Sequence, residues 1–303
     1  MALTPQKAVS PTSARPPAAI EVSPEGVLAA AVPTPGQAPV YAFEPLPAGS
    51  LLPGIAEPNL PSPEVVAAAI RSVLAQVAPR SRNVTLIVPD SVVRVFVLDY
   101  DSFPAKPEEA YPVLRVRLRK MVPFDVEHAG LSYQVLASSA GEVRVLAAIL
   151  PGPVLAEYES AVRAAGCEPG AVLPSTLAAQ ELVDILEAAM VANLSSGSLT
   201  TTIANGQDLL LYRTLDLPEE PDHRRDEIQR GIAVAAAYFE DKLGYKPARL
   251  YYSASRETDS LAHWFDEPGF SLVNLSASPS TGAATSLGHA SLAGVAGAHT
   301  GVR

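Results

Sequence analysis

Apolar positions in the opening third of the chain fall mostly in short β-like runs, and a helical stripe first appears after residue 62. Ala18–Val22, Val27–Val32 and Val40–Phe43 read as strands, separated by Ser23-Pro24-Glu25-Gly26 and Pro33–Pro39, both of turn composition. Ser62, Pro63 and Glu64 then mark a helix start: a cap, a first-turn proline and an acid at the positive end of the dipole. Val66, Ile70, Val73, Leu74 and Val77 supply its buried stripe, and Pro79 closes it. Val84–Val88 and Val92–Leu98 are β-branched strands joined at Pro89-Asp90. A helix from near Pro107 to Met121 aligns Tyr111, Leu114, Leu118 and Met121, and Leu131–Leu136 meets Val143–Leu150 across a Ser-Ala-Gly turn. Residues 84–150 thus predict a strand–strand–helix–strand–strand unit, followed by a helix (Val154–Ala165), a strand around Val172 and a helix (Thr176–Met190).

From residue 191 the opening pattern returns. Val191–Leu194, Leu199–Ile203 and Asp208–Tyr212 read as strands, Asp226–Leu243 as a long helix, Ala248–Tyr252 as a strand, Glu257–Phe265 as a helix and Phe270–Val273 as a strand. The periodicity therefore predicts a duplicated α/β unit, strand–strand–strand–helix–strand–helix, whose first copy carries an insertion. The halves span 18–83 with 151–190, and 191–292; the insertion is 84–150. Residues 1–17 read as a flexible leader, because nothing there repeats with helical or strand period, and 293–303, the end of a stretch rich in small residues, as a disordered tail.

Charge and chemistry narrow the reading by exclusion. A formal charge of −10 argues against a general nucleic-acid binder. One cysteine, Cys167, can form no internal disulfide, and no apolar stretch approaches the roughly 20 residues a spanning helix needs, so a soluble cytoplasmic protein is expected. No GxxxxGK[ST], HExxH or paired CxxC occurs, no catalytic residue suggests itself, and no metal site is expected. His128, His223, His263, His289 and His299 lack ligand spacing and read as surface or structural residues, Asp99-Tyr100-Asp101 as a solvated turn, and Cys167 as ordinary packing. Arg115, Arg117, Arg119 and Lys120 form the one concentrated basic patch. Two readings stay open for it: a solvated helix face, or a contact for acidic lipid headgroups or an acidic partner segment.

Several stretches resemble the type IV pilus assembly protein PilM family and its relatives in type II secretion. Val88-Pro89-Asp90-Ser91 followed by Phe96–Leu98 is similar to that family's strand pair, and Val122-Pro123-Phe124-Asp125 through Leu136 is the most specific match. Ala164–Pro169 and Asp226–Arg230 add two shorter ones. The resemblance implies an actin-like (ribonuclease H-like) duplicated fold, with 84–150 as an inserted 1C-type α+β subdomain. It also implies an adaptor at the cytoplasmic face of the inner membrane that binds the N-terminal peptide of a single-pass PilN-like protein and links it to the assembly ATPase and platform protein.

The same resemblance places two phosphate turns and an adenosine turn, and this chain departs from all three. Where the family has D-x-G-S/T, the aligned residues are Glu21-Val22-Ser23-Pro24; the second D-x-G aligns with Asn193-Leu194-Ser195, and G-G with Ser253-Ala254-Ser255. Serine at Ser23 and Ser195 removes the glycine that lets backbone amides approach phosphate, and Pro24 removes an N–H donor. Asn193 carries no charge to organise Mg²⁺. A pseudo-ATPase with no cofactor is therefore expected. The alternatives are an ATP-binding actin-like ATPase that uses a rewritten Mg²⁺ site at Glu21, and a GspL-like cytoplasmic module of type II secretion.

Overall fold

The computed structural model describes residues 15–33, 37–139, 141–183, 187–206, 208–254, 270–277, 286–287 and 290–300. In the first half, β1 (Ala18–Ser23), β2 (Gly26–Ala31) and β3 (Val40–Pro45) form an antiparallel meander, and β4 (Asn83–Val88) and β8 (Glu168–Pro174) extend it in parallel, in the order β3-β2-β1-β4-β8. The second half repeats this with β9 (Ala188–Leu194), β10 (Ser198–Asn205), β11 (Asp208–Asp216), β12 (Arg249–Ala254) and β13 (Ser271–Asn274), in the order β11-β10-β9-β12-β13. The duplication expected from the apolar pattern is thus present at the level of strand order.

The period of two along each strand sorts side chains to opposite faces. Ile20, Leu86 and Val88 face α1 (Pro63–Val77) and α3 (Gly152–Ala164), whereas Ala19, Ile87 and Leu28 face α4 (Ser175–Gln180) and the C-terminal helix α6 (Ala293–Thr300). In the second half Ile228, Ile232, Ala235 and Phe239 of α5 (Pro221–Leu243) cover one face, and Ala189 and Val191 on the other join Ala179 and Ala293. Helices α4 and α6 therefore lie between the two sheets and share apolar contacts with both.

The structure redraws several sequence boundaries. Val84–Val88 is the fourth strand of the first sheet, paired with β1 and β8, so the inserted unit starts at β5 (Arg94–Tyr100) rather than at residue 84. It continues through α2 (Pro107–Leu118), β6 (Gly130–Ser139) and β7 (Glu142–Leu150), with sheet order β5-β7-β6 and its own apolar core. The helix expected over Thr176–Met190 stops at Gln180, and Ala188–Leu194 is the central strand β9. That strand is buried on both faces, so its unbroken apolar run carries no period to distinguish it from a helix. The helix expected over Glu257–Phe265 and the first 14 residues of the leader lie outside the described residues.

The largest departure concerns 293–303. Eight of these residues form α6, in which Val295 is wholly buried and Ala293, Ala296 and Ala298 nearly so. The small side chains that suggested disorder let two backbones meet: a Cβ at Gly297 would overlap the carbonyl oxygen of Ala178 on α4. Gly→Ala inside a helix ordinarily gains about 1 kcal/mol. Here Gly297→Ala is expected to lower the stability by roughly 1–3 kcal/mol through overpacking, measured as the urea midpoint. An unchanged or higher midpoint would show that α4 and α6 do not meet this closely.

Candidate functional site

The C-terminal ends of the parallel strands of both sheets open onto one crevice, which is where ligands bind in open α/β sheets. This cleft of about 510 Å³ is lined from the first half by Glu21, Ser23, Pro24, Asp90 and Ser175, and from the second by Asn193, Ser195 to Gly197, Asp216 and Ser253. The three sequence-predicted turns therefore converge. Glu21, Ser23, Asn193, Ser195 and Ser253 all line the cleft; Ala254 is buried in the second core beside them, and Ser255 lies outside the described residues.

Glu21 sits on the α4/α6 face of β1, in phase with Ala19. Its Oε1 accepts a hydrogen bond from Ser175 Oγ at 2.6 Å, and its Oε2 is buried without a hydrogen-bond partner. That oxygen sits against Gly294, where a Cβ would force the Glu21 side chain to move. Burial raises the Glu21 pKa from 4.5 to about 7; Asp90 and Glu25 add to the rise and the Ser175 bond opposes it. The Glu21 carboxyl is thus half-protonated near neutrality.

Asp90, 5% exposed, lies just beyond β4 and collects four donors. Its Oδ1 accepts from Thr176 N (3.0 Å) and Tyr212 OH (2.7 Å); its Oδ2 accepts from Thr176 Oγ1 (2.5 Å) and Asn193 Nδ2 (3.1 Å). Asn193 also donates to Ser175 Oγ at 3.1 Å, so an unbroken chain of bonds runs from Glu21 through Ser175 and Asn193 to Asp90. Burial, then Asp90, pushes the Tyr212 hydroxyl well above its usual pKa, which keeps it a donor. Beside the end of β12, Ser291 Oγ lies 2.7 Å from Ser253 Oγ and 2.6 Å from Ser276 Oγ.

The second turn is braced from below. Arg224 of α5 donates to the carbonyls of Ser195 and Ser196 at 2.8 and 2.7 Å, and Ser195 Oγ accepts from Ser198 N at 3.0 Å. Five carboxylates line the cleft (Glu21, Glu25, Asp90, Asp216 and Glu219), and no lysine or arginine does so among the described residues. Such a lining repels a polyphosphate unless cations accompany it.

Sequence reasoning missed Asp90, Ser175, Thr176, Tyr212 and Ser291. Only Asp90 left a signal, an acid directly after a parallel strand, because the others depend on which elements the tertiary fold brings together. The basic patch lies elsewhere, on α2 and the turn after it. Arg115 reaches the Ala129 carbonyl, Arg117 stacks over the Tyr100 ring, Arg119 pairs with Glu127, and Lys120 is exposed. His128 pairs with Asp125, His223 with Glu220, and His299 with the Ala30 carbonyl; His263 and His289 lie outside the described residues. Asp99 pairs with Arg144, and no group of metal-ligating residues assembles among the described residues.

No protein-family model and no curated protein sequence matches the chain. Solved structures do. A PilM–PilN type IV pilus biogenesis complex aligns over 94% of this chain and 98% of that one, at 18% identity and a TM-score of 0.76. The fold is actin-like. The cytoplasmic domain of EpsL, an inner-membrane component of the type II secretion system of Vibrio cholerae, aligns over 78% of this chain and 80% of that one, at 13% identity and a TM-score of 0.50. Ethanolamine utilization protein EutJ from Carboxydothermus hydrogenoformans aligns over 97% and 92%, at 10% identity and a TM-score of 0.50. Within the actin-like plan the cleft of Glu21 and Asn193 is the crevice between the halves, and the β5–β7 unit is an insertion in the first of them.

The raised Glu21 pKa has a thermodynamic signature. Between pH 4.5 and about 7 the folded chain holds a proton there that the unfolded chain releases, so stability falls as pH rises through this window. Above it the deficit is constant and at most roughly 3 kcal/mol. Glu21→Gln is expected to remove this slope, so the variant gains on the parent from pH 5 to pH 8 in paired thermal melts. Parallel curves would refute the assignment.

Proposed function

We propose that the chain is a cytoplasmic adaptor of a type IV pilus assembly platform, a pseudo-ATPase that binds the N-terminal peptide of a PilN-like single-pass membrane protein at its inserted subdomain. The observation that carries this reading is the chemistry of the cleft. Its walls keep the actin-like arrangement, but the phosphate-turn positions hold Ser23, Pro24 and Ser195, and carboxylates line it without a lysine or arginine among the described residues. Hydrolysis needs donors and a metal aimed at phosphate oxygens. Asn193, Ser175, Asp90 and one oxygen of Glu21 bond to one another instead.

Binding without chemistry needs a surface, and the inserted subdomain offers one. Of the eight large apolar side chains that are most exposed among the described residues, Val113, Val116, Met121 and Val135 lie on it, with Val116 at 64%. Its sheet leaves β5 and β6 as outer strands, and an extended peptide can add to such an edge or lay apolar side chains against such a face. No helix among the described residues is long and apolar enough to cross a membrane, so the membrane association in this reading comes through the partner.

Two titrations test the proposal. The synthetic cytoplasmic peptide of the PilN-like protein encoded in the same genome is expected to bind saturably in calorimetry, and Val116→Glu or Val135→Glu to weaken it about tenfold, or 1.4 kcal/mol. Mg-ATP is expected to give neither saturable heat nor phosphate release. Absence of peptide binding would overturn the adaptor role, indifference to both substitutions its location, and tight Mg-ATP binding with turnover the pseudo-ATPase.

A further inference from the structure

The two halves meet through contacts of two different characters, and β11 of the second half also packs against β5 and β6 of the inserted unit. At the base of the cleft, α4 and α6 are packed backbone to backbone, and their small apolar residues Ala179 and Ala293 touch Val191 of the second sheet. Contacts of this kind can pivot, because they are non-directional. Across the floor of the cleft the contact is directional: Asp90 of the first half takes one hydrogen bond from Asn193 on β9 and one from Tyr212 on β11. Tyr212 also inserts its ring against the apolar core of the first half, so the hydroxyl is delivered from a side chain that itself crosses the boundary. Thr176, wholly buried at the start of α4, supplies the other two bonds and fixes the carboxylate against its own half.

We propose that Asp90 is a clasp: its carboxylate, bonded to Asn193 and Tyr212, holds the two halves closed, and its release opens the cleft about the α4–α6 contact. The geometry supports a two-position device. Any rotation that widens the cleft lengthens the Asp90–Asn193 and Asp90–Tyr212 bonds together, since both donors belong to the second half and the acceptor to the first. Asn193 further ties the clasp to Glu21 through Ser175, so both sheets' central strands are held by one connected set of bonds. A bond to a charged, buried acceptor is strong and is lost over a short distance, so closure breaks sharply rather than by gradual yielding. The inference does not depend on the adaptor reading, and its test involves neither nucleotide nor peptide.

The experiment is a distance measurement by pulsed electron resonance. Spin labels are placed at Glu64→Cys on α1 and Glu240→Cys on α5, both exposed, in the full chain with Cys167→Ala. The parent is expected to give one narrow distance distribution. Tyr212→Phe combined with Asn193→Ala is expected to shift it and broaden it about twofold, as a second population appears. Tyr212→Phe alone, which keeps the ring, gives a smaller change in the same direction and serves if the double variant does not fold. Phe239→Leu, which loosens the second-half core away from the cleft, controls for loss of stability and is expected to leave the distribution narrow. An unchanged distribution in the clasp variants, or equal broadening in the Phe239 control, would overturn the proposal.

Discussion

A carboxylate removed from water must recover its hydrogen bonds from the protein, and the penalty for failing to do so exceeds that of losing an ordinary surface contact. Asp90 meets that demand with four donors drawn from α4, β9 and β11. Much of the cleft follows from it. Thr176 has to sit at the start of α4, where its amide and hydroxyl both reach the same side chain. Asn193 has to be an amide rather than an acid, because an aspartate there would set two anions about 3 Å apart. Tyr212 has to cross from the second half and remain protonated. With hydrogen bonds to charged groups worth about 1.5–3 kcal/mol each, this one residue is a principal directional tie between the two halves, beside the Asn193–Ser175 bond and the apolar packing.

The same satisfaction explains why the cleft reads as a binding site that has turned inward. In shape it is an open crevice between duplicated sheets, at the carboxyl ends of their parallel strands. Yet Asn193 and Ser175 spend their polar atoms on Asp90 and Glu21, Ser253 and Ser291 on each other, and the Ser195 carbonyl on Arg224. Glu21, the longer acid at the first turn, reaches α6 and fills the space above Gly294, where Oε2 is left without a donor. Burial disfavours its charged form, and Asp90 and Glu25 add to the effect, which is why its pKa is raised to about 7.

The apolar pattern disclosed the duplication and the position of most strands, because those features are local; the three turns that meet in the cleft came from the family resemblance instead. It misplaced elements where burial on both faces erases periodicity. Val84–Val88 and Ala188–Leu194 are both interior strands flanked by helices, and the sequence reading gave the first to the inserted unit and drew the first three residues of the second into a helix. It misread α6 because small residues look the same in a loose tail and in a close helix crossing; only the position of Ala178 opposite Gly297 tells them apart. Tyr212 was recognised as the end of a strand but not as part of the cleft, since nothing local marks a side chain whose partner lies 122 residues away.

In the proposed reading the polar side chains of the cleft bond to one another and the cleft takes no nucleotide. Amide hydrogen exchange of the Val22–Gly26 and Ser195–Ser198 turns, recorded with and without saturating Mg-ATP, addresses both parts at once. The account predicts that both turns are protected in the free chain and that Mg-ATP leaves their exchange rates unchanged. Rapid exchange in the free chain that slows on adding Mg-ATP would contradict it.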